Sequence, residues 1–388
     1  RVLTARLSDA WYLYHQDLKT PLEERVKDLD RVTFFEGLGS IGDKARRIAA
    51  LAKEIAPAVG ADPDLAEKAA LLAKADLTTG MVYEFPELQG LMGRYYATAQ
   101  GVKAEIADAI RDHYKPQGAD DDVPTAPVSV AVALADKIDT LTAFWAIGKK
   151  PTGSSDPFAL RRAALGVIEI CGANALRVSL RDAVKGACVA MDGLHAFPMA
   201  AWEGEQPWGP RSILVAFFHD RLKVYLKDKG HRYDHIDAVL AKADGSLEDD
   251  LVLIVRKLEA LEAFLKTDDG ANLAAGYKRA ANILKAEEKK GALPENSAVD
   301  ENALQQAEEK ALFAALTSAE EKASTALAAE KFADAMAALA SLRAPIDAFF
   351  DKVTVNADDK SLRANRLALL QRFIAATACV ADLGRLEG

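Results

Sequence analysis

The sequence has 388 residues, half of them hydrophobic and 28% charged, and its formal net charge is −9. This length favours two or three domains, and the composition is typical of soluble globular domains. The acidic balance argues against a protein covered in nucleic acid but leaves room for a local basic face, and no apolar run approaches the ~20 residues that span a bilayer.

Helical periodicity dominates the first block, and no convincing run of alternating strand residues occurs. One helix is predicted over residues 1–19, and another begins at Pro21. Residues 41–59 are amphipathic, and the stretch "PDLAEKAALLAKADLTTGMVYEF" is predicted to continue in helix until Gly80 loosens it. A further helix, "TAPVSVAVALADKIDTLTAFWAIG", closes this block near residue 148.

The next stretch, "GKKPTGSSDPFALRRAALGV", superficially resembles a phosphate-binding loop. In such a loop Lys and Ser/Thr follow the last glycine, whereas here Lys149 and Lys150 precede Gly153. The plainer interpretation is a helix start. Asp156 is predicted to cap the free amides, and Pro157 suits the first helical position.

The rest of the chain also shows helical periodicity. Residues 192–210 are rich in Gly, Pro and Trp and predict a surface loop, and residues 287–302 predict a polar loop. The Ala-rich segment 303–345 is predicted to be helical because it carries an apolar face. The members of that face are Leu304, Leu312, Phe313, Leu316, Leu327, Phe332 and Leu339. The sequence therefore predicts an all-α, multi-domain protein.

Patterns that carry catalytic chemistry are few. The three cysteines lie far apart, which indicates no disulfide framework and favours a reducing cytoplasm. His231 and His235 are four residues apart and resemble two metal ligands on a helix, but a closed metal site needs four ligands. No nucleophile elbow and no Gly-rich dinucleotide loop occurs in the sequence.

Two basic clusters remain in the last third of the chain. Lys278, Asn282 and Lys285 have the spacing of one helix face. The second cluster consists of Arg363, Asn365, Arg366 and Arg372. Fixed positive charges beside amide side chains suit RNA phosphates and base edges, and the two amides are the better candidates for bases. The alternative is an ordinary solvated face, and Arg366, near an apolar stripe, has the further alternative of bracing its own helix.

Several long motifs resemble the beta subunit of bacterial tetrameric glycyl-tRNA synthetase. They are "RVLTARLSDAWYLYHQDLKTPLEERVKDL", "EFPELQGLMGRYYA", "KPTGSSDPFALRRAALG", "KRAANILK" and "FFDKVTVNADDKSLRANRLALL". The resemblance runs over nearly the whole chain. The family protein is longer on its N-terminal side, so a chain that begins with Arg1 is expected to be its C-terminal portion.

The resemblance implies a cytoplasmic ligase that attaches glycine to tRNA(Gly) as an alpha2beta2 heterotetramer. A separate alpha subunit activates glycine with ATP and Mg, and the beta subunit binds the tRNA, so no catalytic residue and no cofactor are expected in this chain. The implied domains are an HD-like helical domain (1–148), a helical body (149–270) and an anticodon-binding bundle like that of arginyl-tRNA synthetase (271–388). Lys149, Lys150, Arg161 and Arg162, in the family signature, are expected near RNA backbone.

The first block resembles an HD-type domain whose hydrolytic metal site has degenerated. Ala73-Lys74 stand where the His-Asp doublet belongs, and Lys44 stands where an earlier His is expected. Only His113 and Asp136 persist, and a hydrolytic metal centre needs more ligands and an activated water. We therefore expect a non-catalytic scaffold with no metal. The alternatives are an HD-type metal-dependent phosphohydrolase and a purely structural module for subunit assembly.

Overall fold

The computed structural model describes residues 2–118, 120–191, 210–240, 246–290 and 298–387. The chain forms two compact units, residues 1–222 with 249–252 and residues 223–248 with 253–388. Helices make up nearly all of the regular structure in the described residues, which confirms the all-α prediction. The division into three domains stays a prediction. The predicted loop at 192–210 lies outside the described residues except for Pro210, and residues 291–297 of the predicted polar loop lie outside them as well.

The first unit is built from helices around a central helix that is almost wholly buried. Its described helices are α1 (Val2–Asp17), α2 (Leu22–Arg25), α3 (Ile41–Ile55), α4 (Pro63–Leu72), α5 (Gly80–Glu84), α6 (Leu91–Ala99), α7 (Ala104–Asp112), α8 (Pro127–Ala146), α9 (Leu160–Ala173) and α10 (Leu180–Ala190). Pro127 occupies the first position of α8, where its missing N–H costs nothing. Helix α8 packs against α3, α4, α7, α9 and α10, so side chains from all of them meet along its length.

Helix α3 begins at a capping box that is joined to a short hairpin. The Ser40 Oγ accepts from Asp43 N at 3.0 Å, and Asp43 Oδ2 accepts from Ser40 N at 2.8 Å. Strands β1 (Thr33–Phe35) and β2 (Gly39–Ser40) pair antiparallel, with Thr33 opposite Ser40. Gly39 has a φ of +81°, and a Cβ there would lie 2.4 Å from Asp43 Oδ2, so glycine lets the hairpin close on the cap.

The second unit is a helical bundle that ends at the C-terminus. The remaining helices are α11 (Pro210–Asp228), α12 (Tyr233–Val239), α13 (Leu251–Leu265), α14 (Asp268–Glu288), α15 (Ala307–Ala328), α16 (Phe332–Ala340), α17 (Arg343–Lys352) and α18 (Lys360–Ala378). Unit boundaries fall within α11 and near the start of α13. Helix α14 packs against α17 and α18, and α15 packs against α16, α17 and α18. Leu312, Leu316, Phe332 and Leu339 of the predicted apolar face are buried, so the Ala-rich segment is helical as expected.

Two predicted helices have different bounds in the structure. The helix predicted to continue from residue 63 ends at Leu72, and a 3-10 turn (Ala75–Thr78) follows. The helix predicted from Pro157 begins three residues later, at Leu160, although Asp156 does accept from the amides of Leu160 and Arg161, both at 2.9 Å. Ala159 has the left-handed backbone angles φ 53° and ψ 35°, so the helix cannot begin before Leu160, and Phe158 stacks on Phe144 with ring centroids 4.2 Å apart.

Candidate nucleic-acid interface

His113 and Asp136, the two residues that the HD-type resemblance singled out, lie close together, and a lysine lies between them. Lys74 follows the end of α4, with φ −107° and ψ 0°, and this turn directs its side chain inward. Its Nζ lies 2.8 Å from His113 Nε2 and 3.1 Å from Asp136 Oδ2, and 3.9 Å from the centre of the Tyr114 ring. The ammonium group is thus held by the imidazole and the carboxylate that persist from the predicted site.

A second layer of charge surrounds this contact. Lys44 Nζ lies 3.0 Å from Asp136 Oδ1 and 3.1 Å from Asp139 Oδ2. Arg47 donates to Asp139 through Nε at 2.7 Å and through Nη2 at 3.2 Å. These side chains are buried, so we call Lys44, Arg47, Lys74, His113, Asp136 and Asp139 the closed cluster.

Burial and charge fix the protonation states in the closed cluster. Burial, reinforced by the Lys74 ammonium, holds the pKa of His113 well below its usual range, so the imidazole is neutral. Burial alone would raise the pKa of Asp136, but Lys44 and Lys74 outweigh it and hold that pKa well below 3.8. The site therefore contains a neutral imidazole, a carboxylate and an internal cation. In the described part of the chain no three His, Cys, Asp or Glu side chains are grouped so as to hold a metal ion.

The signature segment between α8 and α9 presents several cations to solvent. Lys149, Lys150 and Arg162 are exposed, and Lys149 and Arg162 have no ion pair among the described residues. Lys150 Nζ lies 5.7 Å from the centre of the Trp145 ring. Arg161 instead donates to Gly153 O at 2.6 Å and so folds its own loop. Three of the four cations predicted here are thus available to a partner.

The predicted cluster on α18 is occupied by contacts within the bundle. Arg366, 5% exposed in its side chain, donates through Nε to Glu309 and through Nη1 to Thr354 O at 2.7 Å. Arg363 pairs with the buried carboxylate of Glu287. The alternative prediction for Arg366 was that it braces its own helix, whereas its contacts join α18 to α15 and to the segment before α18.

The other two members of that cluster also have internal partners. Asn365 donates to Asp300 O at 2.9 Å and accepts from Asp300 N at 2.8 Å, so both ends of its amide are used. Arg372 donates to the two Glu320 oxygens at 2.9 and 2.6 Å and lies over the Phe313 ring. Each of these contacts joins α18 to the α15 helix or to the chain that precedes it.

The predicted cluster on α14 differs, because its side chains have no hydrogen-bond or ion-pair partner among the described residues. Asn282 and Lys285 are exposed and Lys278 is half-buried, and among the described residues none of the lysines has an ion pair. Lys289 follows Lys285 by four residues and is also exposed and unpaired within the described ranges. Lys289 was not among the predicted residues, although the same helical spacing would have included it. We call Lys278, Asn282, Lys285 and Lys289 the α14 face.

The two histidines whose spacing resembles a metal pair, His231 and His235, lie in the second unit, and His235 lines the same cavity as Lys278. Helix α12 begins at Tyr233, so His231 precedes the helix and the pair does not share a helical face. Both rings instead share one carboxylate. His231 Nδ1 lies 3.0 Å from Glu262 Oε2, and His235 Nδ1 lies 3.5 Å from Glu262 Oε1. His235 and Glu262 line a cavity of about 690 Å³ in the second unit.

Comparison with known proteins gives matches over most of the chain. A family profile described as "Glycyl-tRNA synthetase beta subunit" matches residues 1–241, and one described as "DALR anticodon binding domain" matches residues 273–377. The chain is 52% identical to the glycine-tRNA ligase beta subunit of Ruegeria sp. strain TM1040, covering all of this chain and 54% of the relative. It is 53% identical to those of Cereibacter sphaeroides and Rhodospirillum centenum, covering 55% and 53% of them. The chain thus spans about half the length of these relatives.

Proposed function

This chain belongs to the glycyl-tRNA synthetase beta-subunit family, and on that premise we propose that it is the tRNA-binding portion of a glycine-tRNA ligase. The enzyme attaches glycine to tRNA(Gly) with ATP. In this proposal a separate alpha subunit binds ATP and Mg and activates glycine, and the present chain holds the tRNA. We further propose an alpha2beta2 assembly in the cytoplasm. None of the helices in the described residues combines the length and apolar character needed to span a bilayer.

The α14 face is the observation that carries the proposal. It lies within residues 273–377, the range that resembles a DALR anticodon-binding domain. Lys278 lies on α14 and Lys289, eleven residues later, caps its C-terminal end, which corresponds to about 16 Å along the helix axis. Unpaired lysines over that length suit successive phosphates of a single RNA strand, and Asn282 between them offers a donor and an acceptor to a base.

We propose a second RNA contact in the first unit, at the signature segment. Lys149, Lys150 and Arg162 are exposed and suit the phosphate backbone. The arginines of α18 hold the bundle together through their carboxylate partners, so any contact they make with tRNA is an additional role. We therefore place the main phosphate contacts of the second unit on α14.

The rival function, an HD-type metal-dependent phosphohydrolase, is disfavoured by the closed cluster. A hydrolytic site requires a metal with an open position for water or substrate. Here the Lys74 ammonium lies within 3.1 Å of both His113 and Asp136, and a second cation beside it would meet electrostatic repulsion. We propose that the closed cluster stabilises the fold and performs no chemistry.

The proposal is tested by measuring the affinity of the chain for tRNA(Gly) against salt concentration. Replacement of Lys278, Lys285 and Lys289 with alanine should weaken binding and flatten the log–log salt slope by about two to three units, since each phosphate contact contributes close to one. The matched control replaces Lys310, Lys322 and Lys331, which are exposed and unpaired in the described part of the chain, and so removes the same net charge. Equal effects of the two triple variants would refute a specific α14 interface.

The division of labour has its own test. Exchange of pyrophosphate into ATP reports amino-acid activation directly. We expect no glycine-dependent exchange from the chain alone and restored exchange when the alpha subunit is added. Exchange in a preparation free of alpha subunit would overturn the proposed role.

A further inference from the structure

A cavity of about 290 Å³ lies in the first unit, where α8, α9 and the segment after α7 meet. Lys137 of α8 and Arg162 and Ala163 of α9 contribute to its lining. The cavity lies beside the closed cluster, because Asp136 belongs to both. Its volume is slightly below that of pockets for drug-sized ligands, so it suits a smaller molecule.

Lys137 brings a buried cation to this cavity. A Cβ at Gly166 would lie 2.6 Å from Lys137 Cε, so the glycine of α9 leaves room for the lysine side chain. The Nζ atom donates to Tyr114 O at 3.2 Å and to Lys115 O at 2.9 Å. An ammonium group has three N–H donors, so one is left for a ligand. Burial lowers the pKa of Lys137 to about 8, which leaves the group charged at pH 7.

Three further polar side chains of the lining are exposed. They belong to Arg162, Gln89 and Gln117, and among the described residues none of these side chains has a hydrogen-bond or ion-pair partner. A guanidinium presents its N–H groups in a planar fork that matches two oxygens of a phosphate, and an amide can both donate and accept. Phe158 adds aromatic surface to the same lining.

The carboxylate in the lining does not cancel these positive charges. Asp136 lies 3.0 Å from Lys44 Nζ and 3.1 Å from Lys74 Nζ, so the closed cluster already compensates it. Asp121, which lies outside the lining, attracts one of the two lining cations. Two cations and one compensated carboxylate therefore line the cavity, and this balance favours an anionic ligand.

We propose that this cavity binds a small phosphate-bearing molecule no larger than a mononucleotide, with Lys137 and Arg162 donating to the phosphate oxygens. Gln89, Gln117 and the ring of Phe158 contact the organic part of the ligand. Free phosphate shares the chemistry of the anionic group, but the amides and the ring favour a phosphate ester. The inference goes beyond tRNA binding and does not depend on it.

The test measures ligand binding to the full chain by calorimetry in the absence of tRNA. Adenosine monophosphate, inorganic phosphate and adenosine are the probes. We expect one molecule of adenosine monophosphate to bind per chain, about tenfold or more tighter than either of the other two. Equal binding of adenosine would overturn the proposal, because the phosphate would then contribute nothing. Equal binding of inorganic phosphate would overturn the role of the two glutamines and identify free phosphate as the ligand.

Arg162→Ala connects the binding to this cavity. Because Arg162 is exposed and has no partner within the described residues, the variant should fold, and it should weaken binding of adenosine monophosphate about tenfold. Lys103→Ala is the matched control, since Lys103 is also exposed and unpaired in the described part of the first unit and does not line the cavity. Equal affinity in the two variants would refute the proposed phosphate contact.

A substitution that fills the cavity gives an independent test. Ala163→Phe places a ring in the space and should abolish binding of adenosine monophosphate. Ala173→Phe, at an exposed alanine at the end of the same helix, is its control and should have no effect. Full affinity of folded Ala163→Phe would refute the site. If the unmodified chain binds tRNA(Gly) but not adenosine monophosphate, the proposed function stands and this inference is wrong.

Discussion

The closed cluster and the α14 face both contain cationic side chains, but these side chains lie in opposite environments. Lys44, Arg47 and Lys74 are buried, and each lies within 3.1 Å of a carboxylate oxygen. Lysines of the α14 face have no ion pair in the described residues, and Lys285 and Lys289 are exposed while Lys278 is half-buried. A buried charge is destabilising unless it is paired, whereas an exposed unpaired cation keeps its full attraction for a phosphate. Pairing and burial, rather than the count of positive charges, therefore separate a structural region from a binding region.

Helix α18 shows that the same distinction operates within a single unit. Its arginines are as positive as the α14 lysines, yet Arg363, Arg366 and Arg372 each pair with a glutamate. On this criterion they resemble the closed cluster more than the α14 face. Four experiments would break or sharpen the comparison.

Removal of a carboxylate from the closed cluster should have the largest effect. Asp139→Ala leaves Arg47 buried without its bidentate partner and deprives Lys44 of one of its two carboxylates. We expect the free energy of unfolding to fall by about 3–5 kcal/mol. Urea unfolding measures it, with Asp30→Ala as the control, because Asp30 is 51% exposed in its pair with Arg46 and should cost less than about 1 kcal/mol. Equal losses in the two variants would show that burial does not distinguish the cluster.

Arg366→Met should destabilise the second unit by about 3 kcal/mol, since it leaves the buried Glu309 carboxylate without its cation. The loss is smaller than at Asp139 because Glu309 still accepts from the amides of Gln305 and Gln306, both at 2.7 Å. Adding Glu309→Gln should recover part of the stability, and equilibrium unfolding of the single and double variants measures the coupling. If Arg366→Met keeps full stability but flattens the salt slope of tRNA binding, Arg366 belongs with the α14 face instead.

The first unit should respond to pH through Asp76, a buried neighbour of Lys74. Burial raises the pKa of Asp76 to about 6. Hydrogen bonds donated by the backbone amides of Gly90 and Gly93, and the charge of Lys74, oppose the rise. Because the folded pKa exceeds the ordinary value of 3.8, this stabilising contribution is complete below about pH 4 and is lost as pH rises through about 6.

Asp76→Asn removes that titration. The stability of the unmodified chain relative to Asp76→Asn should therefore fall by about 2 kcal/mol between pH 4 and pH 6. Chemical unfolding at the two pH values measures it. A relative stability that is the same at both would contradict the raised pKa.

The smallest effects come from single exposed or half-exposed cations. Lys285→Ala should flatten the salt slope of tRNA binding by about one unit and leave stability unchanged. Arg372→Ala should leave the slope unchanged and lower stability by no more than about 1 kcal/mol, because its pair with Glu320 is only partly buried. Circular dichroism checks the fold of both variants. The reverse pattern would place the phosphate contacts on α18.

Much of the fold follows from sequence pattern, because helical periodicity depends on residues close in the chain. Apolar spacing correctly predicted the helices of the Ala-rich segment, and Ser40 and Asp43 form the capping box that begins α3. The start of α9 was predicted three residues early, because Ala159 adopts left-handed backbone angles where Phe158 packs on Phe144, a residue fourteen positions earlier in the chain. Local signals fail where a distant contact outweighs them.

The sites were less predictable for the same reason. Spacing grouped Lys278, Asn282 and Lys285 correctly on one face, but it also grouped α18 residues whose partners lie 52 to 76 positions away. No pattern along the chain reveals that Glu309 or Glu287 neutralises an arginine after folding. The resemblance located His113 and Asp136, while the depth to which Lys74 reaches between them depends on the turn after α4.

Lys74 has a consequence for how the first unit is made. An ion bound from solution has an occupancy that depends on its concentration, and a chelator can remove it. The Lys74 ammonium is joined to the backbone by its own side chain, so the positive charge between His113 and Asp136 arrives when the chain folds. This part of the fold needs no loading step after synthesis, and scarcity of metal in the cell leaves the charge at that position unchanged.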